Sequence, residues 1–245
     1  MSIGVNRMKI RSTDAAQDCK KIKYKDKHDT FLEKHLVSKE PFGQFKAWFE
    51  EACSRKEILE PTAMCLATAS REGFPSARFM LCKGYGKDGF KFFTNYESRK
   101  AMDLAENPNV AATFFWKVFS RCIRIEGSVE KLSEQESTAY FHSRPVPNQI
   151  SACASHQSSP IESRDVLYER ESVLESKYLI PGKKVPKPKY WGGYIIIPTT
   201  IEFWQGQKNR LHDRIKFRKP KPGEIPDGKI LHTGVDGWVF ERLSP

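Results

Sequence analysis

The first regular pattern of apolar positions begins just after Pro41. Apolar residues recur there at spacings of three and four, namely Phe42, Phe45, Trp48, Phe49 and Cys53. This spacing places side chains on one face of an α-helix, and proline is favoured at the first helical position. We therefore predict an amphipathic helix whose aromatic stripe packs into the core.

From residue 62 the pattern changes to that of β-strands. Segments rich in β-branched and aromatic residues are separated by turn signals, such as Lys87-Asp88-Gly89, Asp227-Gly228 and Asp236-Gly237. The predicted strands cover residues 62–70, 76–83, 90–95, 110–116, 121–132, 191–197, 201–204, 214–218 and 238–243.

Helical patterns lie between these strands. They cover residues 98–106 and 166–178, and a further helix runs to Phe141 from a capping box formed by Ser133 and Glu136. The strands are too closely spaced for βαβ units, and neither GxGxxG nor GxxxxGK[ST] occurs. The pattern predicts a mainly β fold, a barrel of antiparallel strands with peripheral helices.

Residues 1–30 are polar, basic and aperiodic, which predicts a flexible basic arm before a single domain at residues 31–245. The arm has no apolar signal region, and no apolar run approaches the roughly 20 residues that cross a bilayer. The six cysteines include no CxxC pair. We therefore expect a cytoplasmic protein with reduced thiols, no metal site and no membrane contact.

The formal net charge of +11 indicates an anionic partner. Nucleic acid, an anionic membrane and phosphorylated small molecules all satisfy this condition. The basic runs at residues 20–27 and 181–189 are equally consistent with solvated tails and linkers. Charge alone therefore leaves the kind of partner open.

Residues 76–83 combine cations with an apolar strand. Strand alternation places Arg78, Met80 and Cys82 on one face and Phe79, Leu81 and Lys83 on the other. A cation at each end is costly unless both reach water or an anion. The alternative is a strand whose charged ends simply emerge from the sheet.

A second segment, residues 92–100, runs from a strand into a helix. Ser98, Arg99 and Lys100 fall in the first helical turn, where free N–H groups and the helix dipole favour a phosphate. The same tripeptide is also common at helix starts on protein surfaces. The segment is therefore a candidate phosphate site, with a plain surface helix as the alternative.

Two further segments carry candidate chemistry. Tyr140 and Arg144 are one helical turn apart and could share a phosphate, or could form only a surface cation–π contact. In the segment 202–214, an extended backbone would put Arg210, His212 and Arg214 on one face. Three such cations repel one another unless an anion or an electron-rich ring lies between them.

Taken in order, these segments resemble the pyridoxine (pyridoxamine) 5′-phosphate oxidase family. The resemblance runs from about Tyr24 to Pro245, and its most specific parts are residues 92–100, 155–159, 204–214 and 241–245. It implies a dimeric FMN-binding split barrel of the Greek-key type, with two flavins at the subunit interface. It also implies oxidation of pyridoxine and pyridoxamine 5′-phosphates (PNP and PMP) to pyridoxal 5′-phosphate (PLP), with O2 as electron acceptor and H2O2 as product.

The resemblance also implies roles for individual residues. The FMN site would comprise Arg78, Phe79, Met80, Leu81, Phe93, Thr94, Arg99, Lys100, Gln157, Ser158, Trp204 and Arg214. The substrate phosphate would meet Lys83, Tyr140 and Arg144. Arg210 and His212 would be the catalytic pair over the pyridine ring. Some of these residues would come from the opposite subunit.

The chain departs from the family pattern at three places. Cys122 stands where a flavin-bonding glutamine is usual, Asn148 replaces a serine on the substrate phosphate, and Lys25-Asp-Lys-His28 replaces an arginine-rich stretch of the arm. Three alternatives stay open. One is a different oxidoreductase on the same barrel, a second is a split-barrel paralogue that binds FMN or PLP with little or no turnover, and a third is a basic nucleic-acid-binding module.

Overall fold

The computed structural model describes residues 30–245, so the predicted arm up to Asp29, including Lys25–His28, lies outside the described residues. Five α-helices are present in the described part: α1 Pro41–Cys53, α2 Arg99–Glu106, α3 Glu134–Ser143, α4 Val146–Ala154 and α5 Asp165–Tyr178. Ten strands accompany them: β1 Ala63–Ala69, β2 Pro75–Leu81, β3 Gly84–Gly86, β4 Gly89–Asn95, β5 Asn109–Trp116, β6 Arg121–Lys131, β7 Trp191–Gln205, β8 Asp213–Arg218, β9 Leu231–Thr233 and β10 Val239–Arg242.

All ten strands belong to one sheet, in which the main order is β2-β1-β5-β6-β7-β8-β10-β9. The β3–β4 hairpin joins the sheet through β4, which pairs with the first half of β7, while β8 pairs with the second half. Every one of these pairings is antiparallel. The prediction of a mainly β, antiparallel fold with peripheral helices is thus confirmed.

Strand β7 is continuous, and the prediction of two strands at 191–197 and 201–204 was wrong. Its pairing with β6 shifts at one point, where Gly127 faces Pro198 and Glu126 faces the residue after Thr199. Thr199 is thus the extra residue of a β-bulge, and its hydroxyl donates to the Glu126 carbonyl at 3.2 Å. A bulge accommodates the proline because its missing N–H leaves no ladder bond unmade.

The aromatic stripe of α1 lies in the core, as predicted. Phe45 is fully buried, and its ring centroid lies 4.9 Å from those of Tyr85 and Phe90 and 5.3 Å from that of Phe114. Burying one such side chain contributes about 1.5–3 kcal/mol. Cys53, at the end of the same stripe, is exposed.

The helix starts were predicted unevenly. Ser133 caps α3 by accepting from the Glu136 N–H at 3.1 Å, but the Glu136 carboxylate pairs with Lys91 at 3.0 Å instead of closing the box. Helix α4 was not predicted, and two prolines, Pro145 and Pro147, lie at its start. They occupy the N-cap and the first helical turn, where no intrahelical N–H is required. No helix within residues 30–245 is both long enough and apolar enough to cross a membrane.

Replacing Gly127 with alanine should destabilise the sheet at the bulge. A Cβ at this position would lie 2.1 Å from the Ile197 carbonyl oxygen, so the backbone of β7 has to shift. We expect a loss of about 2 kcal/mol or more in the free energy of unfolding, measured by urea denaturation. Gly84→Ala is the control, because its nearest contact is 3.6 Å, and equal losses in both variants would contradict the assignment.

Candidate functional site

A cavity of about 710 Å³ opens between β2, β4, α3 and α4. Nine of the predicted site residues line it: Phe79, Met80, Leu81, Lys83, Phe93, Thr94, Tyr140, Arg144 and Gln157. Four separate stretches of chain contribute these side chains. The structure therefore brings together the predicted phosphate segments at 76–83, 92–100 and 140–159.

Lys100 is a buried cation at the edge of this cavity. It is 6% exposed, and its Nζ donates to Gln157 Oε1 at 2.9 Å and to the hydroxyls of Thr94 and Ser98 at 3.2 Å. In the described part of the chain it forms no ion pair with a carboxylate. Burial, and then the charge of Arg78, lower its pKa to about 8. A buried cation of this kind is stabilised by an anionic ligand.

Arg78 is a second cation of the same cluster. As predicted, it points to the more buried side of β2, opposite the exposed Phe79. Its guanidinium donates to the Leu66 carbonyl at 3.2 Å and to the hydroxyls of Thr68 and Ser76 at 2.8 Å. Burial lowers its pKa, and no hydrogen bond among the described residues joins it to a carboxylate.

Arg99 and Ser158 occupy more open positions. Arg99 is exposed on α2, and its Nε lies 3.8 Å from Asp103, a buried carboxylate that also accepts from Thr68 at 2.6 Å. Ser158 has a backbone φ of 72° and follows Gln157 in an exposed turn. Arg99 directly precedes Lys100 in the sequence, and Ser158 directly follows Gln157. Neither Arg99 nor Ser158 lines the cavity itself.

Three aromatic side chains, Phe93, Tyr140 and Trp191, line the cavity together and form its aromatic wall. The Phe93 ring stacks on Tyr140 at 3.8 Å and on Trp191 at 5.7 Å, with interplanar angles of 18° and 11°. The Arg144 guanidinium lies 4.9 Å from the Trp191 ring centroid. This wall suits contact with a flat ring, and the arginine at its edge suits an anion.

Arg144 has a buried N–H donor that lacks an acceptor among the described residues. Its Nη2 donates to the Asn148 carbonyl at 2.7 Å, whereas its buried Nη1 has no hydrogen-bond partner among the described residues. Helix α3 ends at Ser143, so Arg144 is not on the helix with Tyr140 as predicted; its extended backbone has φ −77° and ψ 150°. Both side chains nevertheless line the same cavity.

The remaining predicted residues lie elsewhere in the chain. Trp204 is near the end of β7 and Arg214 near the start of β8, with Arg210 and His212 in the connection between them. Trp191, which borders the cavity, is at the other end of β7. The two ends are separated by roughly 40 Å of strand. The predicted site residues of one chain therefore fall into two groups, called here the cavity half and the turn half, at opposite ends of one strand.

The condition under which Arg210, His212 and Arg214 would share one face, an extended backbone throughout residues 210–214, is not met. Strand β7 ends at Gln205 and β8 begins only at Asp213. Between them, the Asn209 side chain accepts from the Leu211 N–H at 3.0 Å, and Arg210 has a φ of 64°. An asparagine that bonds the backbone two residues on stabilises a turn against a strand. Arg210, His212 and Arg214 therefore do not share a strand face.

His212 has a defined tautomer when its ring is neutral. Its Nδ1 accepts from the Gln207 N–H at 3.0 Å, so the ring hydrogen is on Nε2. Burial, and then the charge of Arg210, lower its pKa. The ring lies 4.8 Å from that of Trp204. At pH 7 His212 is thus a neutral side chain that can donate from Nε2.

Glu202 is a residue of the turn half that the sequence prediction missed. It is 4% exposed and accepts from Arg214 Nε and from Arg124 Nη2, each at 2.6 Å. Its position between two core residues of an apolar strand, Ile201 and Phe203, was a signal that could have identified it. Buried carboxylates inside strands are uncommon unless they are paired.

Cys122 lies beside Glu202. Burial, and then the charge of Glu202, raise the pKa of the Cys122 thiol to about 11, so the group is protonated at neutral pH. Together with Trp204, Arg124 and Phe115 the two residues line a second cavity of about 290 Å³. The cysteine is therefore part of the turn half.

Comparison with known proteins connects this geometry to a family. Residues 51–170 match the family model described as pyridoxamine 5′-phosphate oxidase, and residues 191–245 match that of the pyridoxine 5′-phosphate oxidase C-terminal dimerisation region. The chain belongs to the pyridoxine/pyridoxamine 5′-phosphate oxidase family. A family member from Bombyx mori, named pyridoxine/pyridoxamine 5′-phosphate oxidase, is 73% identical over 92% of this chain and 88% of its own length. The pyridoxine-5′-phosphate oxidase of Bos taurus is 52% identical over 91% and 85%.

Solved structures of related proteins share the fold. PhzG from Burkholderia lata, crystallised with tetrahydrophenazine-1-carboxylic acid, superposes with a TM-score of 0.76 at 27% identity, covering 89% of this chain and 98% of PhzG. An FMN-binding, pyridoxamine 5′-phosphate oxidase-related protein from Nostoc punctiforme gives 0.62 at 14% identity, covering 84% and 98%. The second likeness concerns the fold alone.

The affinity of the Lys100 cluster for a phosphate monoester should depend on pH. Lys100 has a pKa of about 8 in the free protein, and a bound anion raises it, so binding is strongest below pH 8 and weakens above it. We expect the dissociation constant of FMN to rise by up to about tenfold per pH unit between pH 8 and 9.5. Fluorescence titration of the apoprotein measures this constant.

The control is Lys100→Met, which removes the titrating group. It should bind FMN more weakly than the wild type at pH 7 and without the rise above pH 8. The same rise in this variant would assign the titration to another group.

Proposed function

We propose that this chain catalyses the FMN-dependent oxidation of PNP and PMP to PLP, with O2 as electron acceptor and H2O2 as product. The reaction and its two substrates go one step beyond membership of the family. Its main support is that the curated relatives at 73% and 52% identity are both named for this activity. Identity of this level over nine-tenths of the chain includes both half-sites.

One structural observation carries the proposal: cationic groups lie at two places on the cavity. Lys100, beside Arg78, bonds the lining residues Thr94 and Gln157, and Arg144, whose buried Nη1 has no partner among the described residues, lines the cavity next to Trp191. Two anchors of this kind fit two phosphate-bearing molecules that each carry a flat ring. FMN and a B6 vitamer phosphate are such a pair.

The cofactor assignment follows the same division. Arg78, Arg99 and Lys100 are proposed to bind the FMN phosphate, with Thr94, Gln157 and Ser158 supplying polar contacts. Phe79, Met80, Leu81 and Phe93 are proposed to contact the flavin from the cavity half, and Trp204 and Arg214 from the turn half. The charge of Lys100, which has no carboxylate partner among the described residues, supports an anionic ligand here, as does Arg78, whose hydrogen bonds go to neutral acceptors.

The chain's own residues would then bind and orient the substrate. Lys83, Tyr140 and Arg144 would hold its phosphate, which fixes C4′ relative to the flavin. Bound FMN would supply the two-electron redox chemistry, with O2 as the final electron acceptor. His212, with its hydrogen on Nε2, acts as a hydrogen-bond donor to the pyridine substituents rather than as a base, and Arg210 would cover the ring.

A dimer is part of the proposal, since the family resemblance implies that residues of both subunits form each FMN site. A two-fold partner can bring the turn half of one chain to the cavity half of the other. The match of residues 191–245 to a C-terminal dimerisation region supports this, as do the exposed apolar side chains Phe79 and Phe115 on the intervening sheet face. We also propose closure of the sheet into a split barrel and a single domain at residues 31–245. Location in the cytoplasm remains a prediction from the sequence.

The departures from the family pattern leave this chemistry in place. Asn148 lines the cavity, and its backbone carbonyl accepts from Arg144. Its side-chain amide can donate to a phosphate in place of a serine hydroxyl. Cys122 is protonated at neutral pH and offers only a weak S–H donor. We therefore expect altered flavin affinity or redox tuning at Cys122 rather than loss of turnover.

The visible absorption spectrum tests the proposed function. The purified protein should show flavin bands that bleach when PNP is added without oxygen and return with oxygen, with PLP as product. A colourless protein that binds nucleic acid, or a yellow protein that PNP does not bleach, would overturn it.

Arg210→Ala should keep the flavin bands but bleach about a hundredfold more slowly, since it misplaces the substrate. Leu211→Ala, exposed in the same turn, is the matched control.

Subunit complementation tests the shared site. Lys100→Met removes function from the cavity half and Arg214→Ala from the turn half, so each variant alone should be nearly inactive. Hybrid dimers contain one intact site, because each chain supplies the half that its partner lacks. Random mixing should restore roughly a quarter of the wild-type activity. Hybrid dimers that form without activity would contradict a site built from two chains.

A further inference from the structure

Glu202 lies on the sheet face opposite the aromatic core, yet it is only 4% exposed. Its neighbours along β7, Ile201 and Phe203, are fully buried in the core. The guanidinium groups of Arg124 and Arg214 lie against its carboxylate from β6 and β8. Because a buried carboxylate is costly without such partners, its presence in this strand calls for a specific role.

The carboxylate binds Arg214 as a fork. Glu202 Oε1 accepts from Arg214 Nε at 2.6 Å, and Oε2 accepts from Arg214 Nη2 at 3.2 Å. The Ser244 carbonyl accepts from Arg214 Nη1 at 2.9 Å. A guanidinium has five N–H donors, so three are engaged and one remains on each of Nη1 and Nη2. The plane of Arg214 and the direction of its two remaining donors are therefore fixed.

On β8, Glu202 pairs with a diagonal neighbour instead of with the residue directly opposite. Lys216, not Arg214, is the residue directly opposite Glu202 in the β7–β8 register. Lys216 instead pairs with Glu241 at 2.6 Å, and Glu202 engages the diagonal neighbour. A carboxylate that served only to neutralise charge on the sheet could have used the opposite lysine, whose single ammonium fixes no plane. The arrangement thus favours orientation of Arg214 over simple charge balance.

The hydrogen bonds also keep Glu202 ionised. Burial by itself would raise the pKa of this carboxyl, but the hydrogen bonds and charges of Arg214 and Arg124 outweigh burial and lower the pKa. The fork is therefore intact throughout the neutral pH range.

We propose that Glu202 is a positioning residue that holds the Arg214 guanidinium in the orientation in which it binds the flavin. The inference rests on the proposed FMN-dependent function, in which Arg214 contacts FMN. Glu202 itself touches neither cofactor nor substrate in this proposal. It acts through the fork, which removes the freedom that Arg214 would otherwise lose on binding FMN.

Two substitutions separate orientation from charge. Glu202→Gln keeps the size of the side chain but removes its charge and one acceptor, whereas Glu202→Asp keeps the charge but is one methylene too short for the fork. If Glu202 positions Arg214, both should weaken FMN binding to the apoprotein, on the order of tenfold, as is typical when a ligand-orienting partner is lost. If Glu202 acts only through its charge, Glu202→Gln should tighten binding of the anionic cofactor and Glu202→Asp should change nothing. That outcome would overturn the proposal.

Glu241→Gln is the matched control. Glu241 makes the same kind of cross-strand ion pairs on β10, to Lys216 and Arg218, but does not contact Arg214. Its substitution should leave FMN affinity unchanged while costing comparable thermal stability. Equal losses of FMN affinity in the Glu241 and Glu202 variants would reduce Glu202 to a structural ion pair.

A double-mutant cycle supplies the readout that a structural role would not move. In an Arg214→Ala background, Glu202→Gln should have no further effect on FMN affinity. At saturating FMN, the visible flavin band of Glu202→Gln should shift in the same direction as that of Arg214→Ala, and that of Glu241→Gln should not shift. Additive losses or a wild-type band would contradict action through Arg214.

Folding failure does not remove the test. If Glu202→Gln does not fold, Glu202→Asp, which keeps the buried charge opposite both arginines, carries the test and should weaken FMN binding with the same band shift. An unchanged affinity and band in Glu202→Asp would overturn the proposal. Wild-type protein that binds no FMN would instead refute the proposed function.

Discussion

The arrangement of the site depends on the continuity of β7. This strand pairs with β4, β6 and β8, and it carries Trp191 at the cavity half and Trp204 at the turn half. The bulge at Thr199 lets one strand serve two pairing partners on the same side without breaking its ladder with β6. Gly127 permits the close approach, because no side chain fits between it and Ile197. Both half-sites are thereby attached to one rigid element.

The cavity half and the turn half differ in whether their cations are hydrogen-bonded to a carboxylate. In the cavity half, Lys100 and Arg78 have neutral hydrogen-bond acceptors, so their positive charge is available to a ligand. In the turn half, Arg214 has its charge largely compensated by Glu202. The first arrangement attracts a dianion through charge, while the second supplies directed N–H groups with little net field. Such a division suits a ligand with a charged phosphate at one end and a polar, nearly neutral ring at the other.

Local patterns in the sequence predicted much of the fold, and non-local contacts account for the errors. The α1 stripe and the alternation around Arg78 are local periodicities, and both were correct. The turn at Arg210 depends on the Asn209 side chain competing with an otherwise strand-like run, and α4 on prolines placed where a helix tolerates them. The position of Glu202 in an apolar strand was a local signal, but its pairing with Arg124 and Arg214 was not predictable, since these partners are 78 and 12 residues away.

Reasoning from spacing has a further limit at the turn half. Spacing can place two side chains on one face of a single element, but it cannot assemble a site from the opposite ends of a strand. Arg210, His212 and Arg214 lie in a turn and at the start of β8 rather than on one strand face. A turn fixed by Asn209 can hold Arg210 in a left-handed conformation that a strand forbids. The backbone of the turn therefore sets the position of Arg210, and the hydrogen bonds with Glu202 fix the guanidinium of Arg214 at the start of β8.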